Sequence, residues 1–395
     1  MAREPALTAP PLALYVHFPW CVSKCPYCDF NSFTLHGTLP AGSYLDALRA
    51  DFQAQLPAVQ GRQVVSVFMG GGTPSLFTPE DIGRVLQLLR TELPFADDAE
   101  VTLEANPATV ERGRFAEYRS AGVNRVSLGA QSFDPVVLKA LGRIHVPADV
   151  HRAAQELHAC GLDNFNLDLM FALPGQQREG ALSDLREALA LQPAHLSHYQ
   201  LTLEPGTPFA ALPPPALPDD DLAWEMQEAC HGVLAEQGFG QYEVSGFARA
   251  GRQCRHNLNY WQFGDYLGLG AGAHGKLTDA DTGRIERTTQ QREPRRYQAR
   301  PVEGLQRRTV PPGDLPFGFA MNALRLVAGF EPALLIERTG LNWQQVLPLL
   351  QQQQARGLLE VVAGHWRATG QGQRFLNEVI ASFLPGEISQ GLTGV

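Results

Sequence analysis

Across its first half the chain alternates six short β-rich runs with longer amphipathic stretches, and few folds accommodate that rhythm. The β-rich runs cover 12–18, 64–69, 100–104, 125–130, 165–170 and 196–203. Helix-period patterns fill the intervals at 42–56, 79–90, 109–121, 148–160 and 180–191. Thr78-Pro79-Glu80-Asp81 offers a capping hydroxyl, a proline at the first helical position and acids in the first turn. Gly122 and Gly161 follow helical runs, where a C-terminal cap belongs. Strand–helix units in series imply a parallel sheet with right-handed crossovers. Six units rather than eight predict an α/β fold of the partial (β/α)6, TIM-like barrel kind, open on one side. In such a barrel the chemistry collects where the strands end.

The first strand runs into Cys21-Val-Ser-Lys-Cys25-Pro-Tyr-Cys28. Three thiolates on one short loop can hold three irons of a [4Fe–4S] cube and leave the fourth open. An open iron accepts an amine and a carboxylate, as S-adenosylmethionine offers them. Two alternatives compete. Cys25-Pro-Tyr-Cys28 alone is a C-x-x-C redox pair, which leaves Cys21 unexplained. A structural zinc site needs a fourth Cys or His, and neither His17 nor His36 completes a usual spacing. The second strand ends in Gly70-Gly71-Gly72-Thr73-Pro74. Consecutive glycines bury no side chain and cost backbone entropy. They let backbone groups approach a ligand amine, or else form a plain tight turn. Glu104 and Asp168 end two further strands, with Gln131 and Arg143 on the unit between. The acids can accept bonds from a ribose or an ammonium group, and Arg143 can hold a carboxylate; simple solvation is the plainer reading.

Ala211-Leu-Pro-Pro-Pro-Ala-Leu-Pro218 reads as a stiff linker. The expected division is a barrel at 1–210, a linker and mixed region at 211–314, and a C-terminal, mostly helical, winged-helix-like domain at 315–395. Within the last, 357–368 reads as strand, glycine turn, strand. The mixed region carries His256-Asn257-Leu-Asn-Tyr260-Trp261. Its histidine can ligate iron while Tyr260 and Trp261 stack on a macrocycle. Cys254 is another candidate ligand, and a capped turn with buried aromatics is the plain reading. Gly268-Leu-Gly-Ala-Gly-Ala-His274-Gly275 has spaced glycines but no dinucleotide fingerprint. Eight arginines fall between Arg284 and Arg308, as a solvated loop or a contact for acidic groups such as porphyrin propionates or a membrane surface.

A net charge of −9 argues against nucleic acid as a partner. Three cysteines outside the N-terminal loop imply no disulfide framework, and Cys160 and Cys230 fall in helical patterns as core fillers. No apolar segment is long enough to cross a bilayer and no signal-peptide core precedes the first strand, so a cytoplasmic protein is expected.

Together the Cys-x3-Cys-x2-Cys loop and Gly-Gly-Gly-Thr-Pro resemble the radical S-adenosylmethionine superfamily. The wider sequence, 12–383, is similar to the branch holding the oxygen-independent coproporphyrinogen III oxidases and the HemW-type heme chaperones. The resemblance implies that Cys21, Cys25 and Cys28 bind the [4Fe–4S] cluster. It implies that Tyr15, Tyr27, Gly71, Gly72, Thr73, Glu104, Gln131, Arg143 and Asp168 line the S-adenosylmethionine site. His256-Asn257-x-x-Tyr260-Trp261 matches the signature associated with heme binding in the chaperone branch. Oxidases of this kind carry a fourth cysteine two residues past the third; Phe30 stands there, which favours the chaperones. Ala130 and Ala172 depart from the usual Val and Gly. What the resemblance implies is a protein that binds heme and delivers it to apo-hemoproteins such as respiratory enzymes. A homodimer is compatible with the sequence, though no exposed seam identifies one. The alternative it leaves open is an oxygen-independent coproporphyrinogen III oxidase.

Overall fold

The structure is a computed structural model that describes residues 7–108 and 113–385. Its first half contains strands β1 (Leu12–Phe18), β2 (Trp20–Cys21), β3 (Phe33–Thr34), β4 (Val64–Gly71), β5 (Phe95–Ala105), β6 (Arg125–Gln131), β7 (Phe165–Phe171) and β8 (His195–Gln200). Between them lie helices α1 (Ala41–Gln55), α2 (Pro79–Glu92), α3 (Arg114–Ser120), α4 (Pro135–Ala140), α5 (Pro147–Ala159) and α6 (Arg178–Ala190). Strands β1, β4, β5, β6, β7 and β8 pair in that order, all parallel. All six expected strands are present. The eighth stops at Gln200 rather than running to 203, because the chain turns through Pro205 and Gly206 into the short helix α7 (Pro208–Ala211), capped by the Thr207 hydroxyl. Of the helix expected over 109–121, residues 109–112 lie outside the described residues, and the described part contains α3. At the start of α2 the Thr78 hydroxyl accepts from the Asp81 N–H at 3.1 Å and the Asp81 carboxylate accepts from the Thr78 N–H at 3.2 Å.

Side chains alternate across the parallel strands. Leu14, Val16, Phe18, Val101, Leu103, Val126, Leu128, Leu167 and Leu169 join one large apolar core with Leu48, Phe52, Leu86, Leu157 and Leu185 of the helices. Tyr15, His17, Thr102, Glu104, Arg125, Ser127, Asn166 and Asp168 occupy the alternate positions. The inner face of the barrel is therefore polar, which is costly without partners and marks it as the working face.

Residues 220–309 complete this face. They form α8 (Asp220–Glu236), β9 (Gly240–Gln241), β10 (Gly246–Ala248), α9 (Arg255–Trp261), β11 (Asp265–Leu269), β12 (His274–Asp279), β13 (Arg284–Thr289), α10 (Pro294–Ala299) and β14 (Gln306–Thr309). Strand β11 lies parallel beside β1, followed by antiparallel β12, β13 and β14; β10 and β9 extend the other margin beyond β8. The sheet thus has twelve strands. The arginine-rich stretch is not a loop: most of it is built into β13, α10 and β14, where Arg307 meets Glu286 at 3.7 Å. A buried ion cluster joins β11 to β12. Asp265 accepts from Lys276 Nζ (2.7 Å), Arg62 NH1 (2.8 Å), the Thr278 N–H (2.7 Å) and the Thr278 hydroxyl (2.8 Å). Burial pulls Lys276 down to about 8, against the pull of Asp265.

The remainder forms α11 (Leu315–Ala323), α12 (Pro332–Thr339), α13 (Trp343–Ala355), a hairpin of β15 (Leu359–Val362) and β16 (His365–Ala368), α14 (Gly370–Arg374) and α15 (Leu376–Ala381). Ala363 and Gly364 turn the hairpin at φ of 49° and 86°, the left-handed pair that a two-residue turn requires. This part has its own core around Phe319, Leu335, Leu350, Trp366 and Val379, and it also takes in Phe263. Cys230 is buried in α8, whereas Cys160 is only half-buried at the end of α5. Among the described residues no helix is long and apolar enough to cross a membrane.

Candidate functional site

The cysteine loop leaves the end of β1 and is closed on itself by the β2–β3 ladder. Lys24 Nζ donates to the carbonyls of Phe30 and Ser32 at 3.0 and 3.1 Å. Two glycine segments clamp the loop from opposite sides. On one side the N–H groups of Gly72 and Thr73 donate to the carbonyls of Phe18 and Trp20 at 2.7 and 2.8 Å. A side chain at Gly72 would meet the Trp20 carbonyl oxygen at 2.6 Å, and one at Gly71 would strike the His17 ring. On the other side Asn31 Nδ2 donates to the Ala271 and Arg292 carbonyls, both at 2.9 Å, where a side chain at Gly272 would strike Asn31. The glycines are therefore required by close packing on the cysteine loop, more specific than a tight turn. Gly272, in a Gly268–Gly275 run uninformative as sequence, has the same use.

Cys21, Cys25 and Cys28 are free, half-buried and open onto one cavity of about 420 Å³. Tyr27, Gly71, Gly72, Thr73, Glu104, Gln131, Arg143 and Asp168 line the same cavity. Eight of the nine residues expected around S-adenosylmethionine are thus brought together with the three thiols. The ninth, Tyr15, faces a neighbouring cavity instead. Burial raises the Cys21 and Cys28 thiols, with partial relief from Thr73 and Ser32 at Cys21 and from Phe30 and Ser32 at Cys28. Among the described residues no three ligating side chains converge on a point suited to one metal ion.

The wall opposite the thiols is built from strand ends. Burial, and then the charge of Asp168, pushes Glu104 up to about 8, while the Gly71 N–H (3.1 Å) and Arg125 act the other way. Asp168 is also raised by burial, and it accepts from Asn166 Nδ2 (2.7 Å) and the Ser127 hydroxyl (3.3 Å). Gln131 lies at a register irregularity in β6, at φ 67°, and accepts from the Tyr199 hydroxyl at 2.7 Å. Arg143 donates to the Gly129 carbonyl at 2.7 Å and points NH1 at Cys25 Sγ, 3.7 Å away; its Nε is buried without a partner. Two buried carboxylates on the rim and a spare guanidinium N–H fit an amino-acid ligand with a ribose. Ala172 takes φ 57°, the conformation for which glycine is favoured.

The second cavity, of about 610 Å³, lies between the cysteine loop, β1, β4, α9 and the β11–β12 turn. Tyr15, His17, Phe68, His256, Asn257, Tyr260, Trp261 and Tyr266 line it, with His274 and Arg292. Asp29 and Phe30 line both cavities, so the residue at the oxidases' fourth-cysteine position stands on their common wall. His256 packs on Phe68 with ring centroids 5.0 Å apart, and its Nδ1 meets the Ser66 hydroxyl at 3.2 Å. Its Nε2 has no partner among the described residues. Burial pulls His256 down to about 3, so the imidazole is neutral at pH 7. Tyr260 sits edge-on to Trp261 at 5.0 Å and tilted on Tyr266 at 5.1 Å. Cys254 is not on this wall: its thiol donates to Glu100 at 3.3 Å, and burial holds it at about 12. Sequence reasoning missed His17, Phe68 and Tyr266. His17 was within reach, because it shares a strand face with Tyr15.

Residues 15–188 match the Radical SAM superfamily, and residues 310–375 match the HemN C-terminal domain. Heme chaperone HemW of Escherichia coli (strain K12) is 50% identical over 376 residues, covering 95% of this chain and 98% of that one. Heme chaperone HemW of Haemophilus influenzae is 46% identical over 382 residues, covering 96% and 99%. The solved structure of coproporphyrinogen III oxidase (HemN) from Escherichia coli, a radical SAM enzyme, superposes with a TM-score of 0.79 over 97% of this chain and 91% of that one. At 24% identity that likeness is one of fold. With half of its residues shared along the full length of such a relative, the chain belongs to the HemW heme-chaperone family of radical SAM proteins.

Proposed function

We propose that this protein is a heme chaperone, which holds heme in the aromatic cavity and passes it to apo-hemoproteins. The observation that carries the reading is the cavity itself: flat aromatic walls around a neutral imidazole whose Nε2 is free. With Nδ1 turned to Ser66, Nε2 is the nitrogen left for iron. Tyr260, Trp261 and Tyr266 supply faces and edges for a macrocycle.

In the adjoining cavity Cys21, Cys25 and Cys28 would hold the [4Fe–4S] cluster. Glu104, Asp168, Gln131 and Arg143 would orient S-adenosylmethionine against its open iron. When bound, that pair supplies one-electron chemistry. The chain's own residues bind, orient and exclude water: Lys24 and Asn31 fix the loop, and Phe30 separates the two compartments.

Titration of the protein with ferric heme is expected to shift the Soret band, and His256→Ala to weaken that shift by about tenfold in affinity. An unchanged titration in His256→Ala would remove the histidine from the role. Anaerobic conversion of coproporphyrinogen III to protoporphyrinogen would instead make the protein an oxidase. The reading also takes respiratory enzymes as acceptors and the cytoplasm as the site of action. Heme transfer to a heme-depleted respiratory complex and cell fractionation test the two.

A further inference from the structure

The aromatic cavity has two unlike ends. His256 and Phe68 close the inner one. At the outer one stand Arg292, His274 and, behind Tyr266, Arg287. Arg287 NH1 donates to the Tyr266 hydroxyl at 3.1 Å, behind the wall that His274 and Arg292 line. Burial first, and then the charges of the two arginines, lower the basicity of His274. Arg292 is exposed, and only its Nε is engaged, by Asn31 Oδ1 at 3.3 Å. Neither guanidinium has a carboxylate within ion-pair distance among the described residues. Arg307 and Arg255 differ in this, meeting Glu286 and Asp98 at 3.7 and 2.7 Å. Asp29, the one carboxylate among the described residues of the cavity wall, pairs with neither. In a chain of net charge −9, one unneutralised arginine on the wall of an aromatic slot and a second on the hydroxyl of its Tyr266 offer positive charge to an anionic ligand edge.

Resting on the heme reading above, we propose that Arg292, Arg287 and His274 anchor the two propionates of the porphyrin. They hold its carboxylate edge at the cavity mouth, so that the apolar edge enters between the aromatics and the iron is presented to His256. The ligand class is thus a dianionic metalloporphyrin rather than any flat aromatic. Arg292 serves twice, because its backbone carbonyl accepts from Asn31 in the cysteine loop. The anchor and the loop are therefore mechanically one piece.

The test titrates the full-length protein with ferric heme and with its dimethyl ester, in wild type and in Arg292→Gln, Arg287→Gln and the double variant. The wild type is expected to prefer the free acid by about tenfold or more, as charge-assisted pairs at a partly exposed rim provide. Each single variant should lose part of that preference and the double variant all of it. The Soret position and the ester affinity should stay as in wild type. Replacement by lysine at both positions should restore part of the preference. Equal affinity of the wild type for acid and ester, with a normal Soret shift, would overturn the anchor and leave the heme reading standing. Full acid preference in a double variant would do the same. No Soret shift with either porphyrin would overturn the heme reading and the anchor with it.

Discussion

Replacing Gly72 by alanine should uncouple cluster loading from folding. The new methyl carbon would lie 2.6 Å from the Trp20 carbonyl oxygen, 2.8 Å from the Trp20 carbonyl carbon and 2.9 Å from the Phe18 oxygen. All three are backbone atoms, so no rotamer change relieves the contact. Restoring ordinary contact requires the Phe18–Trp20 segment to retreat by about 0.8 Å. That movement stretches the two bonds from Gly72 and Thr73 and carries Cys21, the next residue, away from Cys25 and Cys28. Overpacking of this kind costs about 1–3 kcal/mol, and two weakened bonds add roughly 1 kcal/mol. A fall in Tm of about 5 °C is expected for the metal-free protein. Iron and sulfide per chain after anaerobic reconstitution should fall much further, because a cube held at three corners tolerates little displacement of one of them. Gly42→Ala is the control: nothing lies within 4 Å of its added carbon, and it sits inside α1, where alanine is the better helix former. It should leave iron content unchanged and raise Tm slightly. A Gly72→Ala protein with wild-type Tm and a full complement of iron would refute the clamp.

The raised pKa of Glu104 sets a second expectation. Its folded value of about 8 exceeds the ordinary 4.5, so the folded state keeps the proton that the unfolded chain releases. Stability contributed by this group is full below about pH 4.5 and declines as pH rises towards 8. Glu104→Gln should therefore change the stability of the ligand-free protein little at pH 5 and increase it by about 2–4 kcal/mol at pH 9, measured by urea unfolding; a larger gain at pH 5 than at pH 9 would reverse the sign and the argument. At the β11–β12 junction, Lys276→Met leaves the buried Asp265 with Arg62 as its remaining cation. A loss of about 3–5 kcal/mol is expected in thermal or urea unfolding, and a loss under 1 kcal/mol would mean the pair is not buried as described.

Much of the barrel was legible because its physics is local. Each strand announces itself by apolar residues that face the helices, and α2 by the Thr78–Asp81 exchange of bonds. The cysteine loop was legible because three soft ligands at fixed spacing have few uses. Illegible were the margins of the sheet. β11 pairs with β1 across more than 250 residues of sequence, and no local pattern states that pairing. Tyr15 shows the same limit: its strand could be read, but which of two adjoining cavities its ring enters depends on α9 packing against β4 and β1.

What the sequence determined by itself, then, is the set of chemical parts: three thiols, two strand-end acids, an imidazole among aromatics. It also determined the period-two pattern that puts them on one side of a sheet, since side-chain alternation is a property of the extended backbone alone. Only the tertiary structure decided that those parts fall into two compartments with Asp29 and Phe30 between them. Only there do Arg292 and His274 meet on the wall of the second compartment, with Arg287 behind it on the Tyr266 hydroxyl. The reason is that compartments and charge clusters are made by long-range contacts, whose closure depends on the packing of the whole sheet rather than on any one segment.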